Sequence, residues 1–202
     1  MKLSIIKYNA GNIQSVLYAL ERMGLSAEVT EEVEKIEASD KVIFPGVGEA
    51  SSAMKYLKER KLDELIKGLR QPVLGICLGM QLLCKQSEEN ETDCLGIVPV
   101  KVRKFASSSN GTKSGERLKI PQIGWNNIYG LQSDLFKRVK ENSFIYNVHS
   151  YYAENSAYTI ATCRYGLEYA AAVKKDNFYG VQFHTEKSAE VGAQILKNFL
   201  AL

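Results

Sequence analysis

Residues 72–81, Pro-Val-Leu-Gly-Ile-Cys-Leu-Gly-Met-Gln, constrain this chain more than any other stretch. The apolar run 73–76 has the composition of a strand buried on both faces of a parallel sheet. Gly75 and Gly79 flank Cys77, and a sharp turn from strand to helix needs glycine because the backbone doubles back without room for side chains. The stretch therefore predicts a strand, a tight turn carrying a cysteine, and a helix.

The turn has the pattern Gly-x-nucleophile-x-Gly, with Cys77 in the nucleophile position. A cysteine at a helix N-terminus is favoured as the thiolate, its reactive form, by the helix dipole. The alternative interpretation is a buried core cysteine in a glycine-rich turn. The choice between them depends on the rest of the chain.

Composition excludes several classes of protein. A length of 202 residues with 45% hydrophobic content predicts one globular domain, residues 1–202. The net charge of +3 is too small to indicate nucleic-acid binding. Membrane spans and a signal peptide are not predicted, because the apolar runs are too short. The four cysteines lack Cys-x-x-Cys spacing, so neither a zinc site nor a disulfide framework is indicated. We expect no metal, no cofactor and a cytoplasmic location.

Strands and helices alternate in the first half of the chain. Asn12 is the predicted N-cap of a helix that Gly24 closes. The pattern predicts an α/β fold with a mostly parallel central sheet flanked by helices, and with functional residues at the carboxyl ends of the strands. Pro45–Gly48 and Cys77 follow two such strands. The strands predicted here are Leu3–Tyr8, Ala27–Thr30, Lys41–Phe44 and the run before Cys77.

The second half predicts antiparallel strands added beside that sheet, making a flavodoxin-like three-layer architecture. The polar stretch 107–115 is predicted to be a solvated surface loop, and Ala189–Leu202 the last helix. The predicted strands are Leu95–Phe105, Ser143–Tyr151, Tyr158–Tyr165, Tyr169–Val173 and Tyr179–Phe183.

A nucleophilic cysteine needs a base, and the chain has two histidines, His149 and His184. Residues two apart in an extended chain face the same way, so Glu186 is placed to orient His184. An ordinary polar pair at a strand end is the alternative interpretation of His-x-Glu. With a cysteine turn upstream, a Cys77–His184–Glu186 triad is the better hypothesis.

An oxyanion needs backbone N–H donors near the nucleophile. The loop Gly46-Val47-Gly48 follows a neighbouring strand, and the amide of Leu78 comes directly after Cys77. Together they form a candidate oxyanion hole, although a glycine-rich loop by itself indicates no more than a tight turn.

These motifs resemble the class I (triad) glutamine amidotransferases, and within them the HisH branch. The resemblance extends over essentially the whole chain. It is carried by Tyr8–Asn12, Pro45–Gly48, Gly75–Gln81, Ile120–Asn126, Val148–Tyr151 and Phe183–Ser188.

The resemblance implies that Cys77 attacks the glutamine side-chain amide, while His184, oriented by Glu186, protonates the departing ammonia and later activates water. The positions that match the family's substrate-binding residues are Gly48, Gln81, Glu89, His149, Ser150 and Tyr151. Taken alone, Glu89 belongs to a solvated acidic turn, and His149 is equally consistent with a hydrogen-bonded core residue.

In the HisH branch the ammonia passes to HisF, a (β/α)₈ cyclase subunit. The heterodimer makes imidazole glycerol phosphate and AICAR from PRFAR in histidine biosynthesis. The resemblance implies an interface at Asn12, Trp125 and Lys187, although core packing is an alternative role for Trp125, the single tryptophan.

The chain departs from the family pattern at three places: Thr185 replaces proline, Gln122 replaces histidine, and residues 110–115 lengthen a loop. β-branched threonine also favours an extended backbone, so the triad is expected to survive. The changes leave open a glutaminase that supplies a bacterial surface-sugar amidotransferase. A non-catalytic regulatory member of the fold and a peptidase with the same sheet are further alternatives.

The glycine-rich loop 46–48 lies beside the nucleophile in this interpretation and can adopt alternative peptide orientations. It is therefore expected to keep glutamine hydrolysis slow when the partner is absent.

Overall fold

The structure is a computed structural model that describes residues 1–9, 11–106 and 118–202. The surface loop predicted at 107–115 lies outside these ranges. The strands are β1 (Leu3–Ile6), β2 (Glu28–Thr30), β3 (Lys41–Phe44), β4 (Val73–Ile76), β5 (Cys84–Ser87), β6 (Thr92–Asp93), β7 (Val98–Lys104), β8 (Gln122–Tyr129), β9 (Ser143–His149), β10 (Tyr151–Ala153), β11 (Thr159–Tyr165), β12 (Leu167–Lys175) and β13 (Phe178–Val181). The helices are α1 (Ile13–Glu21), α2 (Val33–Glu37), α3 (Ala50–Glu59), α4 (Leu62–Gly68), α5 (Leu78–Leu83) and α6 (Ala189–Leu200).

Five parallel strands form the centre of the sheet in the order β2-β1-β3-β4-β13. The nucleophile strand β4 lies between β3 and β13, with Leu74 opposite Ile43 on one side and Tyr179 on the other. Because the strands are parallel, the loops that follow β3, β4 and β13 leave the same edge of the sheet. The predicted mostly parallel α/β fold is confirmed.

The antiparallel part grows from β12, which pairs with β13, β11 and β10. The order continues from β12 through β10, β7 and β5 to β6, while β11 leads to β8 and β9. The predicted antiparallel addition is therefore present. It brings the end of the hairpin β8–β9, where Gln122 pairs with His149, to the edge where Cys77 lies, since Val148 and His149 line the same cavity as Cys77.

The central strands are buried on both faces, and alternate side chains enter two separate apolar layers. Phe44 packs into the layer under α3 and α4, whereas Ile43 packs into the layer under α1 and α6. Each fully buried side chain of this size stabilises the fold by roughly 1.5–3 kcal/mol. This two-sided burial holds the strand ends that carry the site in fixed positions.

Several predicted boundaries were wrong. The predicted strand Leu95–Phe105 begins only at Val98 and ends at Lys104. The strand β5, which follows the helix after Cys77 and pairs in parallel with β7, was not predicted. The predicted strand Ser143–Tyr151 is divided into β9 and β10. Strand β8 was not predicted, because exposed residues such as Trp125 alternate with glycine and asparagine and hide the strand pattern.

Asn12 precedes α1, as predicted, but its side chain does not cap the helix. Its backbone is in the left-handed region at φ 75°, and its amide side chain makes no bond to the first turn of α1. The side chain is used elsewhere, as described below. Gly24 does close the helix, with φ +72° and its N–H bonded to Glu21 O.

Candidate active site

Cys77 lies at the apex of the turn between β4 and α5, with φ 55° and ψ −110°. This backbone conformation is rare for a residue with a side chain and costs about 1–3 kcal/mol. The N–H of Cys77 donates to Val181 O at 2.8 Å, and its carbonyl accepts from Gln81 N at 3.2 Å. The turn is thus fixed from both strand and helix, and it directs the cysteine to the sheet edge.

The two glycines around Cys77 are required by close backbone contacts. A Cβ on Gly79 would overlap the carbonyl of Phe44, and a Cβ on Gly75 would lie 2.8 Å from the carbonyl carbon of Gly79. Backbone atoms have no room to move, so side chains are excluded at both positions. This confirms the sterically tight turn that the sequence predicted.

His184 and Glu186 are directly bonded, with 2.7 Å between His184 Nδ1 and Glu186 Oε1. The extended geometry predicted for this segment was wrong. Residues Thr185–Lys187 form a short 3-10 helix, because Lys187 N bonds back to His184 O and Ser188 N to Thr185 O. The ring and the carboxylate still meet, since a tight helical turn also folds residue 186 back onto residue 184.

The electrostatics of this pair favour opposite charges. Burial alone lowers the pKa of His184, but interactions with Cys77 and Glu186 outweigh burial and raise the pKa to about 10. Burial raises the pKa of Glu186, but the hydrogen bond from His184 and a weaker one from Asn12 lower it below its usual value. An imidazolium is the form that can protonate a departing amine.

Asn12 reaches this pair from the loop after β1. Its Nδ2 lies 2.5 Å from Glu186 Oε1 and 3.3 Å from His184 Nδ1. The other carboxylate oxygen, Glu186 Oε2, is buried without a hydrogen-bond partner among the described residues. Asn12 and His184 therefore orient the carboxylate through one shared oxygen.

A cavity of about 340 Å³ opens at the sheet edge beside Cys77. Such a volume is typical of small-molecule sites. All six predicted substrate-binding residues line it together with Cys77 and His184. Its lining consists of Val47, Gly48, Cys77, Leu78, Gln81, Glu89, Pro121, Val148, His149, Ser150, Tyr151, His184 and Lys187.

Glu89 is the carboxylate of this cavity. Its Oε2 accepts the N–H of Ala50 at 2.7 Å. Burial raises its pKa, and the Ala50 hydrogen bond opposes that effect. Neighbouring Asn90 donates to Glu49 Oε1 at 2.6 Å. These two bonds hold the Glu89 segment against the start of α3, immediately after the loop 45–48.

His149 lies in the cavity wall with its ring turned towards the core. Its Nδ1 donates to Tyr151 O at 2.7 Å, and its Nε2 lies 3.3 Å from the hydroxyl of Tyr169, which also bonds to Gln122. Burial lowers the pKa of His149 to about 4, so the ring is neutral. Both ring nitrogens are occupied within the protein, an arrangement that fits the hydrogen-bonded core residue considered above.

The predicted oxyanion donor at Leu78 is not free in this structure. The N–H of Leu78 donates to Gly46 O at 3.2 Å, so the carbonyl of the loop occupies the donor. The loop 45–48 is held on its buried side by Tyr8, whose hydroxyl donates to Pro45 O at 2.6 Å. Burial, together with nearby Cys77, raises the pKa of this hydroxyl well above its usual value. An oxyanion hole at Leu78 requires the Gly46 carbonyl to turn away.

The three predicted interface residues lie in different surroundings. Lys187 lines the cavity and Asn12 contacts the His184–Glu186 pair. Trp125 is 54% exposed and packs edge-on against Tyr146 at 5.7 Å between ring centroids. Its alternative role as a core residue is therefore excluded.

The sequence interpretation missed Gln182, which is fully buried beside Cys77. The sequence placed it inside the predicted strand Tyr179–Phe183 and gave no sign that this strand pairs with the nucleophile strand. No group of three or more histidine, cysteine, aspartate and glutamate side chains suited to a metal ion occurs within the described ranges. In the same ranges, no helix is long and apolar enough to cross a membrane.

The family model for class-I glutamine amidotransferases matches residues 4–202. This chain belongs to the class-I glutamine amidotransferase family. It is 54% identical to the imidazole glycerol phosphate synthase subunit HisH of Bacteroides fragilis and 50% identical to that of Bacteroides thetaiotaomicron, with complete coverage of both chains in each case. The HisH of Haemophilus influenzae is 41% identical, over 99% of this chain and 97% of that one.

Solved structures of amidotransferases share the fold at lower identity. One glutamine amidotransferase matches with a TM-score of 0.73 and 15% identity, over 100% of this chain and 98% of that chain. Another, from Thermotoga maritima, matches with a TM-score of 0.63 and 18% identity, over 100% and 81%. Within the family, the full-length relatives place this chain in the HisH branch.

Proposed function

We propose that this chain is the glutaminase subunit of an imidazole glycerol phosphate synthase. It hydrolyses glutamine to glutamate and ammonia, and passes the ammonia to a HisF-type (β/α)₈ cyclase. The observation that carries the proposal is that Cys77 and His184 line one cavity, with His184 bonded to Glu186 behind it. Full-length identity to HisH subunits supports the pathway.

The proposed chemistry has two stages. The Cys77 sulfur attacks the side-chain amide carbon of glutamine, and His184 gives a proton to the nitrogen, which leaves as ammonia. Water then attacks the resulting γ-glutamyl thioester after giving its proton to His184, and the electron pair of the broken C–S bond returns to Cys77. Glu186 holds the imidazole and stabilises its protonated form throughout.

The cavity suits an α-amino acid substrate. Glu89 supplies a carboxylate for the α-ammonium group, and the Ser150–Tyr151 segment supplies backbone groups for the α-carboxylate. Burial favours neutral Glu89, so the arrival of a cation beside it favours ionisation. Oxyanion stabilisation would come from the Leu78 N–H once the Gly46 carbonyl releases it.

An exposed apolar face beside the cavity supports the proposed partner. Ile123, Trp125 and Phe144 are each more than half exposed. They share one face of the hairpin β8–β9, because Trp125 lies opposite Tyr146 and Ile123 opposite Val148. Val148 also lines the cavity, so this face leads to the point where ammonia is released. A large aromatic anchor in such a face is typical of protein–protein interfaces.

The free state of all four cysteines is consistent with the proposed cytoplasmic location.

The deciding experiment measures glutamine hydrolysis by the purified chain, alone and with a HisF-type cyclase carrying PRFAR. We expect strong stimulation by the cyclase and complete loss of hydrolysis in Cys77→Ala. No stimulation, with Cys77 still labelled by a glutamine-mimicking electrophile, would reject the cyclase as partner and retain the triad. Undiminished hydrolysis by Cys77→Ala would reject the triad itself.

A further inference from the structure

Gln182 and Cys77 occupy equivalent positions at the ends of two neighbouring parallel strands. Ile76 pairs with Val181 in the last register position of β4 and β13, and each strand continues into one of these two residues. The backbone N–H of Cys77 bonds to Val181 O, and that of Gln182 to Ala171 O. The two side chains therefore meet at the sheet edge, where Gln182 is fully buried.

The orientation of the Gln182 amide follows from its neighbours. The Nε2 of Gln81 lies 3.0 Å from Tyr151 O, and a carbonyl only accepts, so the NH₂ group of Gln81 must face it. The same NH₂ group lies 2.9 Å from Gln182 Oε1. Gln182 must accept there, which turns its own NH₂ group towards Cys77. The distance from Gln182 Nε2 to Cys77 Sγ is 3.8 Å.

We propose that Gln182 is a further catalytic residue of this site, donating an amide hydrogen bond to the Cys77 sulfur when that sulfur carries negative charge. The inference rests on the proposed glutaminase function. Sulfur is charged before it attacks the amide carbon and again when the C–S bond of the thioester breaks. A donor fixed by Gln81 stabilises both states without having to reorient.

The length of the contact fits this role. A neutral thiol is a weak acceptor, whereas hydrogen bonds to ionised groups are shorter and about twice as strong. Catalytic hydrogen bonds are often long in the free enzyme and shorten when charge develops. A buried amide N–H without an acceptor is destabilising, and Cys77 Sγ is the acceptor that the fold provides.

The test follows the alkylation of Cys77 by iodoacetamide across pH in the isolated, full-length chain, with the modified peptide identified by mass spectrometry. Other titratable groups near Cys77 are His184, His149 and Tyr8, with Glu89 and Lys187 at the cavity rim. They remain unchanged in a Gln182→Met variant, which keeps the side-chain length and removes the donor. We expect the pH midpoint of alkylation to rise by about one unit.

Two further variants separate hydrogen bonding from packing. Gln182→Glu replaces the donor with an acceptor and should raise the midpoint further than Gln182→Met. Gln81→Met removes the group that fixes the Gln182 amide, so the midpoint should rise in the same direction but by less than in Gln182→Met. This variant keeps the test available if the Gln182 variants fold poorly. Gln132→Met, the same exchange at an exposed residue, is the matched control and should leave the midpoint unchanged.

The kinetics in the complex with the cyclase give an independent readout. We expect Gln182→Met to lower kcat about tenfold and to change KM less than about twofold, because the donor acts on charged sulfur and not on bound glutamine. A midpoint equal to wild type in folded Gln182→Met and Gln182→Glu would overturn the inference. Wild-type protein that neither hydrolyses glutamine nor reacts at Cys77 would instead overturn the proposed function.

Discussion

The Nδ2 atom of Asn12 lies 2.5 Å from Oε1 of Glu186, the same oxygen that accepts the Nδ1–H of His184. Asn12 follows the first strand and Glu186 the last one, so this contact joins the two ends of the chain at the site. The backbone of Asn12 is left-handed, at φ 75°, a conformation that asparagine tolerates, and its side chain bonds to the carboxylate and not to α1.

The first prediction concerns this contact. Asn12→Ala removes a hydrogen bond to a charged group, which is worth about 1.5–3 kcal/mol. We expect kcat for glutamine hydrolysis to fall about tenfold, because Glu186 loses one of its two constraints, while KM changes little. The rate should be measured at saturating cyclase, so that any weakening of docking is compensated.

Asn12→Asp extends that test. It places a second carboxylate against Glu186, and two such groups in contact do not both remain ionised. We expect a larger loss of kcat than in Asn12→Ala. A kcat equal to wild type in both variants at saturating cyclase would show that Asn12 does not act on the triad.

The second prediction concerns the loop that occupies the Leu78 amide. Tyr8→Phe removes the hydroxyl that holds Pro45 O at 2.6 Å, and with it one restraint on the loop. A hydrogen bond of this kind contributes about 1 kcal/mol. We expect glutamine hydrolysis by the isolated chain to rise about fivefold, because the Gly46 carbonyl releases Leu78 N–H more often.

The control for this change is Tyr56→Phe, which removes a hydroxyl bonded to Glu31 at 2.9 Å, away from the cavity. It should leave the basal rate unchanged. The stimulation factor with cyclase should fall in Tyr8→Phe, since the stimulated rate does not depend on the same restraint. A basal rate that stays equal to wild type, or decreases, argues against the loop as the barrier.

Much of this fold was readable in the sequence because its signals are local. Buried runs such as Val73–Ile76, followed by glycine turns and amphipathic helices, predict a parallel sheet and locate its carboxyl edge. The pair His184–Glu186 could also be predicted, because side chains two positions apart in the sequence can meet in more than one backbone geometry. They meet in a 3-10 turn and not in an extended chain.

The remaining features depend on contacts between distant segments. In the sequence, Gln182 is an ordinary residue of the predicted strand Tyr179–Phe183, and only the pairing of β13 with β4 brings it to Cys77. The hydrogen bond from Asn12 to Glu186 likewise depends on the fold, which brings residue 186 to the loop after β1. Similarly, the occupied Leu78 amide reflects one orientation of the Gly46 carbonyl, and a glycine-rich sequence allows several.

The third prediction concerns the exposed face of β8–β9. We expect Trp125→Ala to raise the Kd for the cyclase about thirtyfold, because exposed aromatic anchors contribute about 2 kcal/mol or more to binding. Labelling of Cys77 in the isolated chain should not change, since Trp125 does not line the cavity.

Titration calorimetry gives the Kd for this comparison. Val33→Ala serves as the control, because Val33 is also exposed but lies on α2, after the edge strand β2. Equal Kd values for Trp125→Ala and wild type would place the docking surface elsewhere.

The last prediction concerns the buried ring of His149. Its pKa is about 4 in the folded chain, against about 6.5 for an exposed histidine, so between these values the unfolded state binds the extra proton. The ring's contribution is complete above pH 6.5 and is lost as pH falls towards 4. Lowering the pH from 7 to 4.5 should therefore reduce the free energy of unfolding by about 2 kcal/mol through this residue. Urea unfolding at the two pH values measures it, with His149→Gln as the reference that shares all other titrating groups. If both proteins lose the same stability on acidification, His149 is not the neutral core residue that its bonds to Tyr151 and Tyr169 indicate.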